Sequence, residues 1–176
     1  MYAALFLTTS AFAGSPTGDQ VLAFSDDGRC TLLALAGPTF TLVCEDAAPV
    51  SVSPATCPAD ARGLAESLRA RGVKATVDPA ACGSAGLVTA PPLTRPDTGA
   101  RLEVGELTVT IGRTSPASIP VDPGWMAVRA VADTQLVVVL LAPTQAQLNT
   151  HATVQGVYVP RDGRTMRIWG ADAAPR

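Results

Sequence analysis

Four cysteines are the residues of this chain whose type and spacing most directly indicate chemistry. They are Cys30, Cys44, Cys57 and Cys82. An even number of cysteines in an exported chain is typical of disulfide bonds, whereas a structural zinc site needs ligand pairs about two to four residues apart. The closest two cysteines here have twelve residues between them. We therefore predict two disulfides, and neither a metal ion nor another cofactor.

The pairing of these cysteines follows from two separate geometric arguments. Cys30 and Cys44 each lie seven residues from Gly37, which is at the centre of a predicted hairpin turn, so they face each other across two antiparallel strands. After Cys57, a helix of about 14 residues descends about 21 Å, and a strand of about seven residues returns about 23 Å to Cys82. The predicted disulfides are Cys30–Cys44 and Cys57–Cys82.

Ser84 and His151 are the residues that could carry nucleophilic catalysis. A serine hydrolase needs a nucleophile and a base within hydrogen-bond reach of each other, and His151 is the only histidine in the chain. The residues around Ser84 read CGSAG, which departs from the G-x-S-x-G turn of such enzymes. We interpret Ser84 as a loop residue and His151 as a surface or capping residue, and a small secreted serine hydrolase is kept as an alternative.

A basic and aromatic cluster near the C-terminus is a candidate binding surface. Its residues are Arg161, Arg164, Arg167 and Trp169 on the last predicted hairpin, with Trp125 in an earlier loop as a second aromatic candidate. Such a strand could bind an acidic partner or a glycan. The simpler interpretation is that the charges protect an edge strand from aggregation.

The second pair of cysteines brackets the strongest helical pattern in the chain. Pro58 suits the first helical position, and Gly72 suits the left-handed residue that ends a helix. Apolar residues recur between them at the spacing of one helical face. They are Ala61, Leu64, Ala65 and Leu68. We predict one principal helix at about residues 58–71, followed by a half-buried strand at residues 73–77.

Alternating apolar and polar residues predict strands in most of the remaining chain. Residues 20–45 read as a three-stranded meander, in which a bulged first turn would place Leu22 and Phe24 on the face of the cysteines. A short strand at residues 49–54, paired with the strand after the helix, would complete a right-handed βαβ unit. The apolar run at residues 136–142 predicts a central strand. The fold class is α+β, mainly antiparallel β-sheet with one principal helix and two disulfides.

The first 13 residues resemble a secretory signal peptide, because they carry no charged side chain and end in Ala11-Phe12-Ala13. A bilayer span takes about 20 residues, so this segment is too short to cross a membrane. We predict cleavage after Ala13, a single disulfide-bonded domain at residues 14–176, and a periplasmic or extracellular location without a membrane span. The alternative is an apolar first strand or helix of the domain.

Composition and charge argue against an intrinsically disordered protein and against a nucleic-acid-binding protein. The chain is 47% hydrophobic and 16% charged, which argues against intrinsic disorder. Its formal net charge of −2 gives no electrostatic basis for binding nucleic acid, whose partners are usually strongly basic.

One segment resembles a known family. Residues 59–77, ADARGLAESLRARGVKATV, are similar to the helix-plus-strand half of peptidoglycan-binding SPOR domains, which implies a cell-wall glycan-binding module. The family's leading strand and second helix are not evident in this chain. We predict a non-catalytic, exported binding domain whose partner is a protein or an envelope glycan, with the glycan-binding module and the serine hydrolase as alternatives.

Overall fold

An antiparallel meander of four strands forms the first sheet of the protein. The structure is a computed structural model, and it describes residues 17–93, 100–103, 106–109, 117–120, 126–131, 136–144, 147, 151–161 and 164–170. The strands are β1 (Gln20–Phe24), β2 (Cys30–Leu35), β3 (Thr39–Cys44) and β4 (Ala47–Val52). They are hydrogen-bonded in the order β1-β2-β3-β4. The three-stranded meander predicted at residues 20–45 is present, and a fourth strand extends it.

Both predicted disulfides are present. β2 and β3 pair in the predicted register, with Cys30 opposite Cys44, and their disulfide joins Cα atoms 4.1 Å apart. The Cys57–Cys82 disulfide joins Cα atoms 5.7 Å apart. The pairing is as predicted, but the returning segment is shorter as a strand than predicted: it is a strand only at Thr76–Val77 and reaches Cys82 through a 3-10 turn at Pro79–Ala81.

The predicted helix is α1 (Ala59–Ala70), and its C-terminal end follows the prediction closely. Gly72 has φ +64°, in the left-handed region that favours glycine. Its N–H donates to the Arg69 carbonyl at 3.2 Å, and the Val73 N–H donates to the Leu68 carbonyl at 2.9 Å. These two bonds satisfy carbonyls that the end of a helix would otherwise leave without donors. They also reverse the chain, so that it returns along the helix.

The predicted βαβ unit is wrong. β4 pairs with β3, whereas β5 (Thr76–Val77) pairs antiparallel with β6 (Val88–Thr89). Val73 forms an isolated bridge to Ser25 beside β1. The turn between β3 and β4 is short, and short connections favour pairing between consecutive antiparallel strands over a crossover pairing. The helix therefore crosses the sheet from its β4 edge to its β1 edge.

A β-bulge changes the direction of side chains in β1. The register of β1 against β2 shifts between Val21 and Ala23. Leu22 packs on the helix side of the sheet, as predicted, but Phe24 packs on the opposite side. The prediction for Phe24 was wrong because one extra residue inside a strand inverts the alternation of all the residues that follow it.

Two further antiparallel sheets follow. The three-stranded sheet contains β7 (Ala100–Glu103), β8 (Glu106–Val109) and β9 (Ala117–Pro120), and the four-stranded sheet contains β10 (Met126–Val131), β11 (Val137–Ala142), β12 (Thr153–Arg161) and β13 (Arg164–Trp169). β9 contacts β13 and β7 contacts β10, so the smaller sheet touches both edge strands of the larger one. β11 lies between β10 and β12 and is buried along most of its length. It is the central strand predicted from the apolar run.

The first sheet is covered on both faces. On its helix side, Leu32 and Phe40 pack with Leu64 and Leu68 of α1. On its other side, Leu33 and Val43 pack with apolar residues of β11 and β12. The helix, the first sheet and the four-stranded sheet therefore form three layers. The fold is α+β, mainly antiparallel, with one principal helix among the described residues and two disulfides.

The residues immediately before β1 connect two of these layers. The Asp19 carboxylate accepts hydrogen bonds from the Ala36 N–H at 2.8 Å and the Val154 N–H at 2.7 Å. The Asp19 N–H donates to the Ala152 carbonyl at 2.7 Å. A Cβ atom added to Gly18 would lie 2.7 Å from the Ala152 nitrogen, which is closer than packed atoms allow. We call residues 18 and 19 the N-terminal clamp.

Two predictions fall outside the described residues. The predicted signal peptide occupies residues 1–13, and the structure describes the chain from Thr17 onward. Trp125 is likewise outside the described residues. Among the residues that are described, no helix is long and apolar enough to span a membrane.

Candidate functional site

The predicted basic and aromatic surface is only partly described. The structure describes the side chain of Arg167, which is exposed and donates a hydrogen bond from Nη2 to the Gln155 carbonyl at 2.9 Å. Trp169 is half-buried and packs against the core between the two sheets. The side chains of Arg161 and Arg164 lie outside the described part of the chain. The structure therefore shows one exposed arginine and one partly internal tryptophan from this cluster.

Tyr158 lies beside Arg167 and is almost fully buried, with 6% of its surface exposed. Burial raises the pKa of the Tyr158 hydroxyl, and the positive charge of Arg167 offsets part of this rise. Because its side chain is buried in the sheet, Tyr158 acts here as a packing residue.

Ser84 and His151 lie on opposite sides of the first sheet. The Ser84 hydroxyl donates to the Ala81 carbonyl at 2.8 Å and accepts from the Gly86 N–H at 3.2 Å, which caps the 3-10 turn Ala85–Leu87. This turn packs on the helix side. His151 lies two residues before β12, which packs on the other side. This placement gives the hydrolase hypothesis no support, because a catalytic pair needs direct hydrogen-bond contact.

No group of three or more His, Cys, Asp or Glu side chains is arranged to hold a metal ion in the part of the chain that was searched, which is the described residues. All four cysteines are consumed by the disulfides.

A groove lies between α1 and the segment that returns from it. Ala65 and Arg69 line one side, residues 73–77 line the other, and residues 89–92 form an end wall. We call this set of residues the helix-side groove. Its volume is about 960 Å³, within the range of about 300–1,000 Å³ that is typical of sites for small ligands.

Three structural devices position the lining of the helix-side groove. The left-handed turn at Gly72 directs residues 73–77 back along the helix. Pairing of β5 with β6 brings the end wall beside that segment, and the Thr76 and Thr89 hydroxyls are 2.6 Å apart across the pair. The Cys57–Cys82 disulfide joins the beginning of the helix to the loop that leads to the end wall. A site built from short elements is thus fixed partly by a covalent bond.

The lining of the helix-side groove is positive and otherwise mostly apolar. Arg69 and Lys74 contribute two cations, and the lining residues that the structure describes include no aspartate or glutamate. Lys74 Nζ lies 2.9 Å from Asp26 Oδ1, and both side chains are largely exposed at 74% and 67%. Exposed ion pairs of this kind contribute little to stability, so a bound anion can compete with Asp26. The groove therefore combines an apolar surface with charges suited to an anionic group.

A second ion pair lies close to the groove without lining it. Arg71 Nη1 donates to Asp46 Oδ1 at 2.8 Å. This hydrogen bond, with the charge of Arg71, lowers the pKa of the Asp46 carboxyl. The pair joins the end of α1 to the turn between β3 and β4, so it has a structural role.

Sequence reasoning did not predict the helix-side groove. Arg69 lies in the last turn of α1, where a cation is favourable for the helix itself, and Pro91 and Pro92 lie outside any helix or strand. These residues come together only because the chain reverses at Gly72 and because β5 pairs with β6 rather than with β4. The two prolines that follow β6 were the available sign of a groove wall in the sequence. They could be interpreted in this way only once β5 was known to pair with β6.

Comparison with known proteins gives no assignment. No protein-family model matches the chain, and no curated protein and no solved structure shows significant similarity to it. The resemblance of residues 59–77 to SPOR domains gains no support from these comparisons. The function must therefore be argued from the geometry and chemistry of the site.

Proposed function

We propose that the protein is an exported, non-catalytic binding domain, and that the helix-side groove is its binding site. The observation that carries this proposal is the composition of the groove, in which the described lining residues combine apolar walls with two cations. Ligand sites in proteins are typically concave and mostly apolar, with a few polar groups that select and orient the ligand. The helix-side groove has this character.

Export to the periplasm or the cell exterior is supported by the covalent framework. Two disulfides hold the helix side of the first sheet, and disulfides form and persist in oxidising compartments. The resemblance of residues 1–13 to a signal peptide supports the same location.

A binding role, rather than a catalytic one, is supported by the polar groups of the groove. They are two cations and the hydroxyls of Thr76 and Thr89, which contact each other. General acid–base or nucleophilic catalysis requires a titratable base beside the reacting group, and the described lining includes no histidine, cysteine or carboxylate. These groups are suited to recognition of an anion.

Photocrosslinking in the producing cells tests this proposal. A photoreactive benzoylphenylalanine replaces Pro92, which is exposed in the groove wall, or Ala48, which is exposed on β4 and does not line the groove. We expect a discrete covalent adduct from position 92 and none from position 48. We also expect Arg69→Glu to abolish the adduct. Equal adducts from both positions, or none from position 92, would contradict the proposal.

A further inference from the structure

We infer that the natural occupant of the helix-side groove is an extended, acidic segment of a partner protein. This inference rests on the proposed function, and it adds the chemical class and the conformation of the ligand. Charge complementarity, the shape of the groove and the chemistry of its end wall each support it.

The charges of the groove favour carboxylates. Arg69 lies in the last turn of α1 and is exposed, and a guanidinium binds carboxylates through two parallel hydrogen bonds. Lys74 adds a flexible point charge on the opposite side of the groove, where its exposed pair with Asp26 can be exchanged for another carboxylate. Because the chain as a whole has a net charge of −2, this positive site is a local feature.

The shape of the groove favours an extended ligand. One side is formed by residues 73–77, which span at most about 16 Å at about 3.3 Å per residue. A segment of similar length in an extended conformation would contact both cations and the apolar side chains between them.

The end wall favours recognition through side chains. Pro91 and Pro92 have no N–H group to donate to an added strand, and β5 and β6 have only two residues each, so they offer few backbone groups for pairing. A partner therefore gains little from adding a strand to this edge, which is the usual mode for extended peptides that bind to sheets. Contacts between side chains, and carboxylates in particular, must carry the specificity.

Fluorescence anisotropy with short peptides tests the inference on the complete mature chain. The first probe is a fluorescein-labelled hexapeptide that alternates glutamate with proline, which keeps it extended. The second probe replaces each glutamate with lysine. The third is a short single-stranded oligonucleotide, since its phosphates could also contact Arg69 and Lys74. We expect the glutamate probe to bind, with an affinity that falls as salt is added, and the other two probes to bind more weakly.

A matched pair of variants assigns the binding to the groove. Arg69→Glu should weaken binding of the glutamate probe about tenfold, which corresponds to about 1.4 kcal/mol. Arg62→Glu makes the same change of charge on the same helix, at an exposed residue that does not line the groove, and it should leave binding nearly unchanged. Both arginines are exposed, so both variants should fold, and thermal melting checks this.

The outcomes distinguish this inference from the proposed function. Equal binding of the lysine probe or tighter binding of the oligonucleotide would overturn the inference, and so would equal weakening by the two variants. If no peptide binds at millimolar concentration while position 92 still crosslinks, the inference fails and the proposed function stands. If position 92 also gives no adduct, both fail.

Discussion

The two faces of the first sheet are stabilised by different means. On the helix side, both disulfides are part of the packed cluster that joins the sheet to α1. The opposite face packs against β11 and β12 through aliphatic and aromatic contacts, and the N-terminal clamp adds hydrogen bonds across that interface. The groove occurs on the covalently linked face.

This difference has a physical explanation. The partners of the opposite face are strands of six and nine residues, which can bury a continuous apolar surface. The elements that return from the helix are much shorter, since β5 and β6 have two residues each. Strands this short cannot hold a groove wall by hydrogen bonding alone. A disulfide supplies the missing constraint without adding surface that must be buried.

Removing both disulfides should produce the largest loss of stability. The loops that they close span 14 and 25 residues, so each bond should stabilise the fold by about 3 kcal/mol in the chain-entropy model. A domain has only about 5–15 kcal/mol in total, and the variant with four serines should therefore be largely unfolded. Urea denaturation monitored by circular dichroism measures this effect.

Each disulfide should also be tested separately. The double variant Cys57→Ser/Cys82→Ser should lose affinity for the glutamate probe in addition to stability, because the Cys57–Cys82 disulfide supports the groove wall. The pair Cys30→Ser and Cys44→Ser should lose mainly stability. Equal losses of affinity at equal folded fraction would show that the Cys57–Cys82 disulfide does not support the groove.

The N-terminal clamp provides the corresponding test on the opposite face. Asp19→Ala leaves the Ala36 and Val154 N–H groups without the carboxylate that now accepts from them. Hydrogen bonds to a charged group contribute about 1.5–3 kcal/mol each, and partial rescue by water should leave a net loss of about 2 kcal/mol. Chemical denaturation of this variant provides the measurement.

Asp60→Ala is the control for the clamp. Asp60 is exposed in the first turn of α1, where a carboxylate contributes only about 0.3–1 kcal/mol. Equal effects of the two alanine substitutions would show that the clamp does not join the layers.

Alanine substitutions at two glycines on the helix side should change the stability of the protein in opposite directions. Gly72→Ala forces a side chain onto a residue with φ +64°, at a cost of about 1 kcal/mol. Gly63→Ala lies within α1, where an added Cβ would meet no atom within 4 Å, and it should stabilise the protein by about 0.8 kcal/mol. Thermal melting of the two variants should give shifts of opposite sign. A stabilising Gly72→Ala would mean that the helix end is not held in the left-handed turn.

The dependence of stability on pH should be the smallest effect. Hydrogen bonds from the Ser25 hydroxyl and the Arg29 N–H lower the pKa of the exposed Asp27 carboxyl. The pKa of Asp27 is therefore lower in the folded state than in the unfolded state. Its contribution to stability is complete above the unfolded-state pKa and is lost as the pH falls through the folded-state pKa. Urea midpoints measured from about pH 6 to pH 2 should decline more shallowly in Asp27→Asn than in the original protein. An identical decline would contradict this assignment.

Predictions from the sequence succeeded where the determining interactions are local and leave a pattern in the sequence. The helix, the turn at Gly72 and the register of β2 against β3 each depend on fewer than twenty neighbouring residues, and each was predicted. The pairing of β5 with β6 and the bulge that reverses Phe24 are equally local, but they were not predicted, because two-residue strands and a single inserted residue produce no periodic pattern. The N-terminal clamp was missed because it is a long-range contact. The Asp19 carboxylate contacts a residue 135 positions away, and no periodicity within a segment encodes such a contact. The groove was missed because its end wall is positioned by the pairing of β5 with β6, which was not predicted.

A nuclear magnetic resonance titration tests the central claim most directly. The mature protein, labelled with nitrogen-15, is titrated with the glutamate–proline probe, and the shift of each assigned backbone amide is followed. We predict that the largest shifts occur at residues 65–77 and 89–90, on the helix side of the first sheet. Residues of β11 and β12, on the opposite side, should remain almost unchanged. Shifts concentrated in β11 and β12, or no shifts at saturating probe, would contradict the claim that the helix-side groove is the binding site.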